Sequence, residues 1–472
     1  MPRILFTPIS QDKKIKSLNN AHIVDIRLLF VSPKWVNLWD NLNLPGMQVQ
    51  QKSTFIQSFG GINFINNILS KSCFSTLVQS HVGKRSAKAV YSYSDILSQL
   101  FYTASIGGDV LDDNIVLKYQ LQDHPTLQIA SPDTVEYAFQ ELKQPTVISS
   151  LSQYSAKHFI NDHQGFNQLL SALCAQPGML DNKADCLLDY DGHIVENTKK
   201  DNACTYKKTE GYYPVICSIG KKPVYMQNRK GNTPEAYGQL SIIKKAIANC
   251  IANGIRISSF RSDACCYEKD TIDFLESENI TYYIRAENCM RLIDALDDEP
   301  EWQWVMLDHK KVEVASIEEQ VLGGEKNRRI VAYRYKVKGQ LSIEERKGYR
   351  YYAIVTSDKE KTPLQIIEHY NQRGCEGEHH FKELDNDFNW NKLPFDTFEM
   401  NTIYMYAMIV AYLLFHWIKQ ILSEKISFVE PAMRLKRFIL LFVTLPAKWI
   451  KSGRRHVLKI FTTKYYKPLY AT

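Results

Sequence analysis

The sequence predicts a mixed α/β chain in which a helical region precedes a core of strand, strand, strand, helix, strand, helix, strand. Three observations predict it. Apolar residues between Gln51 and Lys143 recur at helical spacing. The texture changes at Asp185 to short apolar runs that end in acids and glycine. A long stretch of mixed charge, Tyr370–Phe395, is preceded by a helix-starting proline, Pro363.

In the first region Phe64, Ile65, Ile68, Leu69 and Phe74 share one helical face, as do Ile96, Leu97, Leu100 and Phe101. Gly107-Gly108 punctuates the run. Ser131 reads as an N-cap, with Pro132 at the first helical position and Val135, Ala138, Phe139 and Leu142 on the buried face. Ahead of this region Ile23–Val31 alternates weakly, broken up by Pro33, Pro45 and Gly46.

The core begins with Cys186–Gly192 as a strand and its turn. Tyr212–Ser218 and Pro223–Gln227 follow as a hairpin across Ile219–Lys222. Pro234–Ala252 is predicted helical, closed by Gly254. Ile255–Phe260 is the fourth strand, with Arg261-Ser262-Asp263 at its end, then a helix over Tyr267–Glu278 and a fifth strand over Ile280–Arg285. That order is the one found in ribonuclease H-like cores, where strands one and four are neighbours. Asp191 and Asp263 are therefore expected side by side at matching strand ends. Asp189 faces the same way as Asp191, because side chains alternate along a strand. Close carboxylates repel unless a cation offsets the cost, and hard oxygen donors suit Mg²⁺ or Mn²⁺.

Asp294–Tyr352 reads as a β-rich insertion containing Trp302 and Trp304. Pro363 opens a helix that Phe388, Trp390 and Pro394, just after Asp385 and Asn386, should end, and Asn401–Ile418 and Arg434–Val443 read as apolar helices. The expected segments are 1–50, of uncertain fold; 51–180, helical and DNA-binding; 181–290, first part of the core; 291–358, the insertion; 359–425, the last part of the core with an acid-bearing helix; and 426–472, a basic C-terminal region.

The bulk composition, 44% hydrophobic and 23% charged, is that of a soluble globular protein. A net charge of +7 leans toward a polyanionic partner. After Glu430 no acid occurs, while ten Lys and Arg residues, Arg454 and Arg455 among them, interleave with Trp449, Phe461, Tyr465 and Tyr466. Such a tail fits either a DNA-backbone contact or a basic surface helix. The ten cysteines are scattered without a CxxC pair and read as reduced thiols of a cytosolic protein. Cys375 with His379 and His380 lacks a second pair at zinc-ligand spacing. No signal peptide is evident. The apolar run Thr402–Ile418 is interrupted by tyrosines and falls short of the roughly 18 residues of a membrane span, so a buried core helix is expected.

Taken together, LLDYDG (187–192), YKKTEGYYP (206–214), NRKGN (228–232), FRSDACCY (260–267), YYIRAEN (282–288), YNQRG (370–374), NDFNWNKLPF (386–395) and PAKWIKSGRRH (446–456) make the chain resemble the DDE transposases of bacterial insertion sequences. The resemblance is to the group with a Tyr-Arg-Glu-Lys signature, in particular the thirteen-eighty insertion-sequence family, and it spans roughly Gln51 to Tyr466. It implies a ribonuclease H-like catalytic core with a β-rich insertion before the last acid. The implied activity is cutting DNA at terminal inverted repeats and joining the 3′-hydroxyl ends to target DNA. Carried over, Asp263 is the second acid and Asp191 the first, with Asp189 as the alternate; Tyr370 and Arg373 match the signature. Two departures occur. The position expected for the third acid is Gly377, so Glu378 is taken as that acid, with Glu376 as the alternate. The signature lysine position holds Asp385, with Lys382 one turn earlier as a substitute.

The implied chemistry uses two Mg²⁺ ions, replaceable by Mn²⁺, held by Asp191, Asp263 and Glu378. Arg373, Lys382 and Tyr370 would contact phosphates, and Trp302 or Trp304 could stack on a flipped base. No P-loop is present, and transesterification conserves bond energy, so no nucleotide cofactor is expected. Double-stranded DNA is the expected partner, bound by a homodimer, in a bacterial cytoplasmic, nucleoid-associated setting without a membrane. The alternative is an inactive or nuclease-only relative that binds transposon-end DNA.

Overall fold

In a computed structural model of the chain, the described residues are 50–51, 53–150, 155–287, 290–298, 301–337, 345–346 and 348–470, without the side chains of 290–291, 345–346 and 375–379. The weak alternation expected before residue 45 lies outside them. The helical region carries α1 (Gly61–Lys71), α2 (Phe74–His81), α3 (Tyr93–Ser105), α4 (Asn114–Gln120) and α5 (Pro132–Leu142). Its starts are locally encoded. Ser92 and Asp95 form a reciprocal capping box on α3, and the Ser131 hydroxyl accepts from the Thr134 N–H with Pro132 in the first turn of α5.

Strands β1 (Val147–Ser149) and β2 (His158–Asn161) and helix α6 (Gln164–Cys174) lead into β3 (Cys186–Gly192). Next come the short strands β4 (Val195–Glu196), β5 (Ala203–Cys204) and β6 (Glu210–Tyr212), then β7 (Val215–Ile219) and β8 (Lys222–Arg229). The strand expected over Tyr212–Ser218 is thus divided. Pro214 lacks the N–H that an unbroken ladder needs, so β6 joins a small sheet with β4 and β5 while β7 starts beyond it.

The helix expected from Pro234 starts later, as α7 (Gln239–Ala252). Gly238, at φ +66°, holds the left-handed conformation and ends a turn over 234–238 before the helix begins. Then come β9 (Ile257–Ser262), α8 (Lys269–Ser277) and β10 (Thr281–Arg285). Helix α9 (Met290–Asp297) was not expected. It precedes β11 (Gln303–Leu307), β12 (Lys310–Gln320), β13 (Asn327–Lys336), β14 (Glu345–Arg346) and β15 (Tyr349–Thr356).

Among the described residues these strands form one twelve-stranded sheet of order β1-β2-β8-β7-β3-β9-β10-β15-β13-β12-β11, with β14 on β15. Only β3–β9 and β9–β10 pair in parallel; the other neighbours are antiparallel. The β-rich segment therefore extends the same sheet through β15, which pairs with β10.

Helix α10 (Pro363–Asp387) lies against this sheet, its start fixed by a capping box between Thr362 and Gln365. Helix α11 (Phe398–Ser423) is long and apolar enough to cross a membrane, yet most of it is buried inside the fold against α3, α6 and β8. Its tyrosines explain the interrupted pattern. The hydroxyls of Tyr406 and Tyr412 donate to the carbonyls of Met226 and Lys221 at 2.6 and 2.9 Å, and Thr402 Oγ1 accepts from the Asn228 amide at 2.9 Å. Each buried Leu or Ile on this helix adds about 1.5–3 kcal/mol.

The chain closes with α12 (Leu435–Phe438), running into a π-turn over Ile439–Val443, and then β16 (Ala447–Ser452) and β17 (Arg455–Ile460). The basic tail is thus a short helix carrying exposed Lys436 and Arg437, followed by an antiparallel hairpin that carries Lys448, Lys451, Arg455 and Lys459. Of its aromatics, Tyr466 is buried and stacks on Phe64. Ile56–Thr472 is one compact unit, so the boundaries expected at 180, 290, 358 and 425 fall within it.

Candidate functional site

The parallel register sets Tyr190 opposite Ser262, so Asp191 and Asp263 are the next residues at the same ends of β3 and β9. Asp263 caps the short turn that follows β9, its Oδ1 accepting the Cys265 N–H at 2.9 Å. Asp191 Oδ1 lies 2.8 Å from Arg373 Nη2 on α10, and that guanidinium also reaches the Tyr190 carbonyl at 3.4 Å. Burial pushes the Asp191 carboxyl up to about 6; Arg373 pulls against the shift and the Asp263 charge adds to it.

A third carboxylate enters from an unexpected place. Glu235 sits in the turn that displaces the start of α7. Its backbone carbonyl accepts from the Tyr190 hydroxyl at 2.8 Å and from Arg229 Nη1 at 3.0 Å, and Arg229 is fully buried. Its Oε2 accepts from the Tyr213 hydroxyl at 2.8 Å. Burial, followed by the charges of Asp263 and Asp191, raises the Glu235 carboxyl above its ordinary range. Gly192 makes the room: a Cβ there would stand 2.7 Å from Tyr213 Cε2 and 2.9 Å from Glu235 Cδ. Ligand atoms of Glu235, Asp263 and Cys265 lie within 4.8 Å of one another.

Asp189 is placed quite differently. It is fully buried and gripped at both oxygens by Arg261, Nε to Oδ1 at 2.6 Å and Nη2 to Oδ2 at 2.8 Å; Arg261 also donates to the His369 carbonyl on α10 at 2.6 Å. Asp189 and Arg261 face each other across the β3–β9 register and bury one another, so Asp189 is not a solvated strand-end acid.

Glu376 and Glu378 lie on the α10 backbone, three and five residues beyond Arg373, and their side chains are outside the described residues, as are those of Cys375 and His379. Tyr370 is half-buried against the apolar cluster that contains Tyr283, Val331 and Ile366. Lys382 is exposed. Asp385 approaches His193, 3.0 Å from Nε2, and the His193 ring stacks on Phe381 at 4.6 Å. The position of the signature lysine is therefore turned toward the residue two after Asp191.

Trp302 is half-buried and packs on the Arg334 guanidinium at 4.0 Å, whereas Trp304 is exposed with Lys311 above its ring at 4.5 Å. Arg454 and Arg455 are exposed at the tip of the terminal hairpin. That hairpin is anchored by Trp449, whose indole N–H donates to Asn63 Oδ1 at 3.1 Å.

Glu235, Arg261 and His193 escaped sequence reasoning. Glu235 carries no periodicity signal, since it lies in a loop read as helix. The pairing of Arg261 with Asp189 follows only from the strand register. The donor set fits a hard divalent cation: clustered carboxylates, one of them with a buried, unbonded oxygen, Glu235 Oε1.

The class this chain falls in is that of the DDE transposases. Residues 42–472 match the family model described as transposase DDE domain group 1, and the chain belongs to that family. Enzymes of the family use divalent metal ions, consistent with the acidic group found here. A comparison with curated proteins returns no match. Among solved structures, a piggyBac transposase synaptic complex with hairpin DNA is similar at 11% identity and a TM-score of 0.38, with 82% of this chain and 80% of that chain covered. A Drosophila P element transposase strand transfer complex is similar at 14% identity and a TM-score of 0.23, with 53% of each chain covered.

Proposed function

We propose that the chain is the transposase of a bacterial insertion sequence of the thirteen-eighty group, cutting DNA at the terminal inverted repeats and joining the freed 3′-hydroxyls to target DNA. The observation that carries this reading is the pair Asp191 and Asp263 at matching ends of adjacent parallel strands, in a chain of the DDE family. The strand order β8-β7-β3-β9-β10, with the first three antiparallel and the last two added in parallel, supports a ribonuclease H-like core.

Asp191 and Asp263 are assigned as cation ligands, with Glu378 on α10 as the third acid and Asp189 and Glu376 as alternates. The buried ion pair of Asp189 favours Asp191 for the first position. Bound Mg²⁺ or Mn²⁺ supplies charge neutralisation at the attacking and leaving oxygens and a more acidic water. Arg373, ion-paired with Asp191 in the free protein, is assigned to the scissile phosphate, with Tyr370 beside it and Lys382 reaching the flanking backbone. Water attacks phosphorus as the bond to the 3′ oxygen breaks, leaving a 3′-hydroxyl. That hydroxyl then attacks a target phosphorus as a target P–O3′ bond breaks, so the number of diesters is conserved and no nucleotide is consumed.

Trp304, the exposed one of the two tryptophans, is assigned to base stacking, and Arg454 and Arg455 to the DNA backbone. Pairing two ends calls for a homodimer on DNA, and the setting is the bacterial cytoplasm and nucleoid.

The test is cleavage and strand transfer on DNA carrying the element's terminal repeats, in Mg²⁺, for wild type and Asp263→Asn. Joined product that falls by about a thousandfold or more in the variant, with end binding intact, is expected. Cleavage without joining would leave a nuclease, and end binding with neither step would leave an inactive DNA-binding relative.

A further inference from the structure

We propose that Glu235 is a carboxylate ligand of the metal centre and that Tyr213 is its positioning residue; the assignment rests on the metal-centre reading above. Glu235 is nine-tenths buried, and its Oε1 makes no hydrogen bond. Its other oxygen is held by Tyr213, and its backbone is held by Tyr190 and Arg229, so the carboxylate is fixed in place.

Two ordinary explanations fail. Glu235 does not cap α7, because Gly238 occupies the N-cap and the Glu235 oxygens bond only Tyr213. Nor is Glu235 in an ion pair among the described residues: the nearby Arg373 pairs with Asp191. The Glu235 carboxylate is buried beside Asp263 and Asp191, with Arg373 offsetting only part of their repulsion, and a cation between Glu235 and Asp263 removes the remaining cost. Cys265 Sγ is in the same group, but a hard cation prefers the two carboxylate oxygens to a soft sulfur donor. Gly192 is then required on the neighbouring strand, since a Cβ there would collide with both Glu235 and Tyr213.

The experiment is Mn²⁺ binding to the full chain without DNA, with free Mn²⁺ counted by its paramagnetic resonance signal, for wild type, Glu235→Gln, Tyr213→Phe and Asp263→Asn. Glu235→Gln is expected to weaken Mn²⁺ binding by on the order of a hundredfold, and Tyr213→Phe, which keeps the carboxylate but frees it, by about tenfold. Should Glu235→Gln fail to fold, the Tyr213→Phe arm decides. Asp263→Asn weakened while Glu235→Gln and Tyr213→Phe bind as wild type would overturn the assignment alone. A wild-type chain that binds no Mn²⁺ would overturn the metal-centre reading with it.

Discussion

Asp189 and Asp191 stand two residues apart on the same face of β3 and have opposite fates. Asp189, deeper in the strand, is enclosed, and both of its oxygens are matched by Arg261, which also ties α10 to the sheet. Asp191, at the strand end, has one oxygen shared between Arg373 and the Gly192 N–H and faces two further acids, Asp263 and Glu235, that make its charge harder to hold. The inner pair satisfies itself and holds the fold together. The outer cluster has more negative charge than its own partners neutralise, which is the condition that favours a cation.

The sharpest way to break this comparison is to neutralise each acid in turn. Asp191→Asn is expected to lower strand transfer by about a thousandfold or more while changing unfolding free energy by less than about 1 kcal/mol. Asp189→Asn is expected to cost roughly 3–5 kcal/mol, because Arg261 is left buried and unmatched. Urea denaturation of both variants beside the joining assay decides, and a reversed pattern would make Asp189 the metal ligand.

The two kinds of environment should also separate with pH. His416, buried on α11 against Glu383, is pushed down to about 4 by burial, with Glu383 pulling the other way. The unfolded chain takes up that proton near 6.5 and the folded chain does not, so His416 costs stability as pH falls from about 6.5 to about 4, by at most about 1.4 kcal/mol per unit. Asp191 has the opposite sign. Its folded value of about 6 exceeds the ordinary 3.8, so the folded chain binds the proton first and gains stability as pH falls through that window. Urea midpoints at pH 7 and pH 5 should fall less for His416→Gln than for wild type, and more for Asp191→Asn. Identical slopes in all three would remove the distinction.

A smaller effect tests the space around the outer cluster. Gly192→Ala should cost about 1–3 kcal/mol through its clash with Tyr213 and Glu235, read as a lowered urea midpoint. Smallest is Asp385→Lys, which gives up the contact to His193 and adds a cation beside the site. It should tighten binding of end DNA several-fold at low salt and steepen the salt slope by about one phosphate contact, measured by titration at several salt concentrations. An unchanged slope would mean that position 385 does not face DNA.

Much of this architecture was legible in local chemistry. The strand Cys186–Gly192, the Thr362–Pro363 start of α10, the Ser131 cap and the buried helix α11 all follow from periodicity, capping and hydroxyl placement within a few residues. The adjacency of Asp191 and Asp263 was also legible, because the element order sets which strands are neighbours. What the tertiary structure alone decided depends on contacts distant in sequence. Arg261 selects Asp189 as the structural acid because the register brings them face to face across 72 positions of chain. Glu235 reaches the site because Gly238 turns the chain before α7, and because Tyr190 on β3, Arg229 on β8 and Tyr213 between β6 and β7 close around it. No pattern within a single segment records such an arrangement, since each partner is an ordinary residue of its own segment until the sheet assembles.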